Sequence, residues 1–333
     1  MNISVIVPVL NEEDSIGVLL DGLLEQTRVP DEIVIADGGS TDRTTEIIET
    51  YIERGLPVRL VSEQGALPGR GRNLAAAHAS GEWLAFIDAG IRPSEDWLER
   101  LAARVGREPE ADAVYGAWQP VTDSFFKECA AIAYVPPPSV EVEGGWMRPR
   151  FIASSLMRRE MWRRVGGFPE HLRSAEDLLF MNEVERAGAR IAYEPRAVVR
   201  WNIQPTLWRT FKRFKNYSRH NIRAGLWKDW QAAIFRRYAA LACFALLALV
   251  LGWRWLLVTF GVWLLFMAAR GVAALRRQRR EFPASAGRNL LRLVVLVPLI
   301  AVLDAAALAG SVNWVVKDKL HLAGGAVGLR NGA

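Results

Sequence analysis

Residues 3–37 read ISVIVPVLNEEDSIGVLLDGLLEQTRVPDEIVIAD, and the fold turns on how this stretch is parsed. Ile3–Leu10 is a short β-branched run of the kind that is buried on both faces of a sheet. SIGVLLDGLLEQ follows with its apolar residues at helical spacing, and Glu32–Asp37 is a second strand. The same alternation continues. STDRTTEIIETYIERG opens a second helix, with Ser40 or Asp42 as N-cap and Gly55 as its stop. VRLVSE is a third strand, GRNLAAAHASG a helix ending at Gly81, and WLAFID a fourth strand. Strands alternating with helices predict an α/β fold, a mostly parallel Rossmann-like sheet with helices on both faces. In such sheets a ligand lies beyond the carboxyl ends of the strands. Asn11, Asp37 and Asp88 each end or follow a strand, so all three are expected at one crevice.

Residues 110–200 are more mixed: ADAVYGAWQP, a Pro- and Gly-rich loop YVPPPSVEVEGGW, FIASSLMRREMWRRVGGF, SAEDLLFMNEVERAGARI and AYEPRAVVRW. They read as antiparallel additions to the same sheet plus two helices, because no linker-like shift in composition precedes them.

Charge divides the chain. Residues 1–199 carry 21 Lys and Arg against 32 Asp and Glu, whereas residues 200–333 carry 21 against 4. The basic part is also the apolar part, which favours a membrane bearing anionic lipid over nucleic acid as its partner. Residues 201–237 interleave aromatic and basic side chains, as in LWRTFKRFKNYSRHNIRAGLW, and suggest a helix in the membrane interface. Three apolar runs follow, at 238–252, 255–272 and 293–316, with 317–333 as a tail. The first two are joined at Trp253–Arg254. Two short spans there return the basic cluster 276–280 to the cytosol, as the positive-inside bias requires. Asp304, inside the third run, is a pairing or functional site by default. The competing reading makes these runs core helices of a second soluble domain.

The N-terminus has no basic region and turns acidic at once, so it does not read as a secretory signal, and the N-terminal half is expected in the cytosol. Two cysteines, Cys129 and Cys243, allow neither a disulfide framework nor a Cys-based zinc site. His220, in the basic segment, reads as a surface or interface residue rather than a metal ligand.

Three motifs carry chemistry. Asp37 begins DGGSTDRT, where two glycines allow close approach of a ligand and the acid can accept hydrogen bonds from a base or ribose; the plain alternative is an Asp-capped turn. PGRGRN sets Arg70 and Arg72 at a helix start, suited to a diphosphate. It is neither a dinucleotide fingerprint, since Leu74 stands where a third glycine belongs, nor a P-loop. Glu176 and Asp177 open a helix, either as dipole partners or with one acting as a general base.

Taken together and in order, VIVPVLNEE, IVIADGGSTDRT, GRGRNLAAAHASGEWLAFIDAG, VGGFPE and AEDLLFMNEVERAGARIAYEP resemble glycosyltransferase family 2 over about residues 1–200. The resemblance implies an inverting enzyme of GT-A fold using a nucleotide-diphosphate sugar, UDP- or GDP-linked. It implies that Pro8, Asn11 and Glu12 contact the nucleoside and that Asp37 reads the base. Arg72 and Asn73 would lie beside the diphosphate, and Asp88 would be the first acid of the metal-binding Asp-x-Asp motif. Asp177 would be the catalytic base with Glu176 beside it, and Gly166, Gly167 and Phe168 would shape the acceptor side. The implied cofactor is Mn2+ or Mg2+, but Gly90 replaces the second acid of the motif. The Gln-x-x-Arg-Trp motif of processive synthases is absent, since QPTLWRT has the order Trp208-Arg209, so a single transfer is expected. The expected enzyme is a multi-pass protein of the inner membrane, its catalytic part cytosolic, acting on a lipid or lipid-linked glycan. A polyprenyl-phosphate sugar synthase and a non-enzymatic membrane-anchored binding protein are the alternatives.

Overall fold

A computed structural model describes residues 1–143 and 145–320. The chain runs β1 (Ile3–Val9), α1 (Ile16–Leu24), β2 (Glu32–Asp37), α2 (Thr44–Glu53), β3 (Val58–Ser62), α3 (Pro68–His78) and β4 (Trp83–Phe86). It continues through β5 (Ile91–Pro93), α4 (Trp97–Arg107), β6 (Ala113–Val121), α5 (Phe125–Tyr134), β7 (Val140–Val142) and β8 (Gly145–Met147). Next come β9 (Ser155–Arg158), α6 (Arg159–Arg164), α7 (Glu176–Arg186) and β10 (Ile191–Asn202).

Eight strands form one sheet in the order β3-β2-β1-β4-β9-β6-β10-β5. β1 pairs in parallel with β2 and β4, and β2 with β3, so the carboxyl ends of these four strands share one edge. β9 runs antiparallel between β4 and β6, and β5 antiparallel along β10. β10 is parallel to β6, with a register shift between Glu194 and Val198. Of the strands that residues 110–200 add to this sheet, only β9 is therefore antiparallel to β1–β4, and the expectation of antiparallel additions fails for β6 and β10. The β-branched residues of β1 and β2 are buried because helices cover both faces: Val5, Ile6, Ile33, Val34 and Ile35 expose nothing.

Several local expectations need correction. Helix α2 begins at Thr44, with Arg43 in the N-cap position and without a side-chain cap of its own, and Ser40 does not cap it. Of the two expected caps, Asp42 is the one that reaches a first-turn amide. Asp42 Oδ1 accepts the Thr44 amide at 3.0 Å, which tightens the turn before the helix. Helix α5 was not anticipated, although Ser124 Oγ accepts the Lys127 amide at its start as an N-cap should. The Pro- and Gly-rich loop contains the small β7–β8 hairpin. Gly55, with φ +72°, follows the end of α2 as expected.

Two compact units divide the chain. The first is Met1–Gln204 with Arg276–Ala284. The returning segment is held within this unit, where Gln278 Nε2 donates to the Val135 carbonyl at 2.7 Å and Arg148 pairs with Glu281.

The second unit is Pro205–Leu275 with Ser285–Ala333, of which the tail from 321 onward lies outside the described residues. It contains α8 (Leu207–Arg223), α9 (Trp227–Trp230), α10 (Ala232–Leu246), α11 (Ala248–Leu251), α12 (Trp255–Arg277, its last two residues in the first unit) and α13 (Ala286–Trp314). Among the described residues three helical stretches, Ala232–Leu251, Trp255–Arg277 and Ala286–Lys319, are long and apolar enough to cross a membrane. Each is longer than the apolar run read for it. Leu249 and Val250, 84% and 83% exposed, have no protein to cover them, which suits lipid contact. Helix α8 packs against α13: Ser218 Oγ donates to the Ala307 carbonyl at 2.6 Å. A Cβ at Gly310 would lie 2.4 Å from the Lys215 carbonyl oxygen. His220, expected at the surface or the membrane interface, is instead buried in this unit.

Candidate active site

The sheet order sets β2, β1 and β4 side by side, so Asp37, Asn11 and Asp88 follow neighbouring strands at one edge. At the first of these ends the loops hold one another. Asn11, with φ +56°, accepts the Thr41 amide on Oδ1 at 2.8 Å, and its own amide donates to Ser40 Oγ at 2.9 Å. The Glu12 amide donates to Thr44 Oγ1. Asp37 is buried and accepts the Gly39 and Ser40 amides at 3.0 and 3.1 Å, the capped-turn arrangement. Pro8 lies next to α3, close to Gly71.

The densest chemistry surrounds Arg72. Its side chain is 5% exposed and bridges two carboxylates, Asp88 Oδ1 at 2.7 Å and Glu176 Oε1 at 2.8 Å. Its guanidinium also lies over the Phe168 ring, 5.5 Å from the centroid. Burial works against the Arg72 charge, but Asp88, Glu176 and Asp177 outweigh it and raise its pKa. Burial pushes the Glu176 carboxyl up to about 7 against the opposing pull of Arg72. Burial likewise raises Asp177, again opposed by Arg72, although part of the Asp177 surface stays open. Glu176 Oε2 is buried and has no hydrogen-bond partner among the described residues. The helix start is strained as well: Ala175, just before the pair, has φ +70°, the left-handed region that costs a non-glycine residue roughly 1–2 kcal/mol. Strain of this kind collects where function fixes the backbone.

Arg70 and Asn73 have other partners. Arg70 pairs with Glu63 at 2.6 Å and Glu170 at 3.2 Å, on the more exposed side of α3. Asn73 uses both ends of its amide on the turn after α6. Its Oδ1 accepts the Phe168 amide at 2.8 Å and the Trp162 indole at 3.2 Å. Its Nδ2 donates to the Phe168 carbonyl at 2.9 Å and to Glu170 at 2.9 Å. Gly167, with φ +78°, passes so close that a Cβ there would be 2.5 Å from Asn73 Oδ1. This clamp fixes Gly166, Gly167 and Phe168 over α3, and Phe168 stacks on Phe180 of α7 at 3.8 Å. The pairing of an amide with a distant backbone leaves no periodic trace in sequence.

A hard divalent cation takes oxygen ligands and commonly uses one or two carboxylates plus substrate phosphates. Among the described residues no three Asp, Glu, His or Cys converge on one point. Asp88 is 37% exposed, only its Oδ1 is bonded to Arg72, and the space beside Gly90 is open. The donor set fits a cation carried by a bound phosphate with Asp88 as the single protein carboxylate.

This architecture, with its acid–arginine cluster at the strand ends, defines an enzyme of GT-A fold. Residues 4–161 match the glycosyl transferase family 2 signature. The succinoglycan biosynthesis protein ExoA of Rhizobium meliloti is 30% identical over 306 residues, covering 84% of this chain and 87% of that one. The poly(ribitol-phosphate) beta-N-acetylglucosaminyltransferase TarS of Staphylococcus aureus is 31% identical over 201 residues, 58% of this chain but 34% of that protein. The mannosyltransferase PcManGT from Pyrobaculum calidifontis, solved with GDP-Man and Mn2+, has the same fold at TM-score 0.55 and 22% identity, over 95% of this chain and 88% of that one. The chain belongs to glycosyltransferase family 2, and it is a glycosyltransferase.

Proposed function

We propose that the enzyme moves one sugar, with inversion, from a nucleotide-diphosphate sugar to a hydroxyl of a lipid or lipid-linked glycan at the cytosolic face of a membrane. The observation that supports this most is the convergence of Asp88, Arg72, Glu176 and Asp177 at the edge where β1, β2 and β4 end. The solved mannosyltransferase with GDP-Man and Mn2+ supports the donor class.

In this reading Asn11, Glu12 and Asp37 hold the nucleoside, and Arg72 faces the diphosphate. Asp177 removes the proton of the acceptor hydroxyl as its oxygen bonds to the anomeric carbon. The bond from that carbon to the diphosphate breaks on the opposite face, and the nucleoside diphosphate departs as an anion. Arg72 is charged and pre-placed for the developing negative charge, the situation in which an electrostatic donor contributes most. A divalent cation, when bound at Asp88, adds neutralisation of the leaving diphosphate. Glu176 holds Arg72 from the other side. Asn73 acts through the turn it clamps, which sets the wall of the acceptor side.

Calorimetry with UDP and GDP, with and without Mn2+, tests the donor class; binding of neither nucleotide contradicts it. Proton NMR of the product tests the stereochemistry, since retention of the donor's anomeric configuration contradicts a single displacement.

A further inference from the structure

The second unit contains a charged site that the transfer chemistry does not use. Asp304, 2% exposed, stands among three apolar helices. Arg270 of α12 grips both of its oxygens, the Nη2–Oδ1 contact being 3.1 Å, and the Tyr238 hydroxyl of α10 donates to Oδ2 at 3.2 Å. Arg237 of α10 stands 4.0 Å from Oδ1, too far for a hydrogen bond. Two guanidiniums thus face one carboxylate, leaving one unit of positive charge uncompensated. Arg237 Nε is buried without a hydrogen-bond partner among the described residues, although the side chain as a whole is 35% exposed. A buried donor without an acceptor costs about 1–3 kcal/mol, so the site as it stands has an acceptor to gain.

Its position narrows the acceptor. Arg237 and Arg270 lie roughly one to two helical turns from the start of α10 and the end of α12. Arg236 precedes Arg237 in the first turns of α10, and Arg276, Arg277, Arg279 and Arg280 stand at and just after the end of α12. Helix ends of this kind belong at the headgroup level, and their long cations reach toward phosphates there. The surface alongside is apolar and exposed, as Phe235, Leu246 and Phe266 show.

We propose that Arg237, with Arg270 and the Tyr238 hydroxyl, binds the phosphate of the lipid-linked acceptor, Asp304 serving as the internal counter-ion that orients both arginines. This rests on the reading that the acceptor is lipid-linked, but none of these side chains is among the catalytic residues. It gives a polyprenyl phosphate or diphosphate a fixed anchor, which lets the enzyme select a phosphorylated lipid.

The test uses the full chain in phosphatidylcholine nanodiscs, with excess UDP and GDP to keep the probe out of the nucleotide cleft. Binding of farnesyl phosphate is measured for the native enzyme, Arg237→Gln and Arg237→Lys. The expected result is a Kd about tenfold or more weaker for Arg237→Gln, largely restored in Arg237→Lys, with donor hydrolysis unchanged in both. Equal affinity of the native and Arg237→Gln enzymes overturns the proposal. So does competition by inorganic phosphate or by phosphatidylglycerol nanodiscs as effective as by farnesyl phosphate, because the site would then bind any phosphate or any anionic lipid. Arg237→Gln is chosen because it leaves the Arg270–Asp304 pair intact. If farnesyl phosphate binds through Arg237 while no lipid-linked acceptor is glycosylated, the proposed function fails and the phosphate site stands.

Discussion

At the residue scale, Arg72 is the hinge of the site because two carboxylates depend on it. Arg72→Lys keeps the charge but cannot reach Asp88 and Glu176 together in a planar fork. We expect transfer to fall about 10²–10³-fold, the usual loss on removing an electrostatic donor, as measured by turnover at saturating substrate. The pH dependence follows from the raised carboxyls. In the proposed role of base, Asp177 works only when ionised, and burial raises its pKa. Glu176 is pushed up to about 7 by burial, against Arg72 and with the Asp177 charge adding to the rise. Activity is therefore lost as pH falls through a limb well above the ordinary carboxylate range, seen in log kcat/KM against pH. A limb near 4 contradicts this. The stability sign is the reverse of the usual acid case. The folded chain holds these protons more tightly than the unfolded chain, so the pair is neutral below the ordinary carboxylate pKa. It costs stability as pH rises from there through the raised folded-state range of the two groups.

At the scale of elements, the start of α3 and the turn at 166–170 are built to touch. A Cβ at Gly69 would lie 2.2 Å from the Pro169 carbonyl oxygen. Alanine normally favours a helix over glycine, so Gly69→Ala separates the two effects. We expect a loss of about 1–3 kcal/mol by denaturant unfolding, because backbone blocks the methyl; a gain in stability contradicts this contact. Legibility in the sequence followed the same physics. β1 to β4 were readable because a buried parallel strand is a β-branched run and its crossover helix has its own period. Residues Asp37, Arg72, Asp88 and Glu176–Asp177 were readable as acids and arginines at strand and helix ends. The insertion of β9 between β4 and β6 was not, since the choice of neighbour is made by tertiary packing. The double grip of Asn73 on Phe168 was equally invisible, because it joins residues far apart in the chain.

At the scale of the molecule, the acidic first part and the basic, apolar second part have different solvents. The exposed leucines and valines of Ala232–Leu251 and Trp255–Arg277 call for lipid rather than water. The chain should sediment with membranes and remain there after alkaline carbonate, being released only by detergent. Release by salt alone would mean that the basic face of α8 makes the whole attachment. The proposed transfer depends on one base, Asp177. The most direct measurement compares Asp177→Asn with the native enzyme for transfer to a lipid-linked acceptor, with nucleoside diphosphate binding measured on the same samples. Turnover should drop about 10²–10⁴-fold while nucleotide affinity is preserved. Undiminished transfer by the Asp177→Asn enzyme would contradict the assignment.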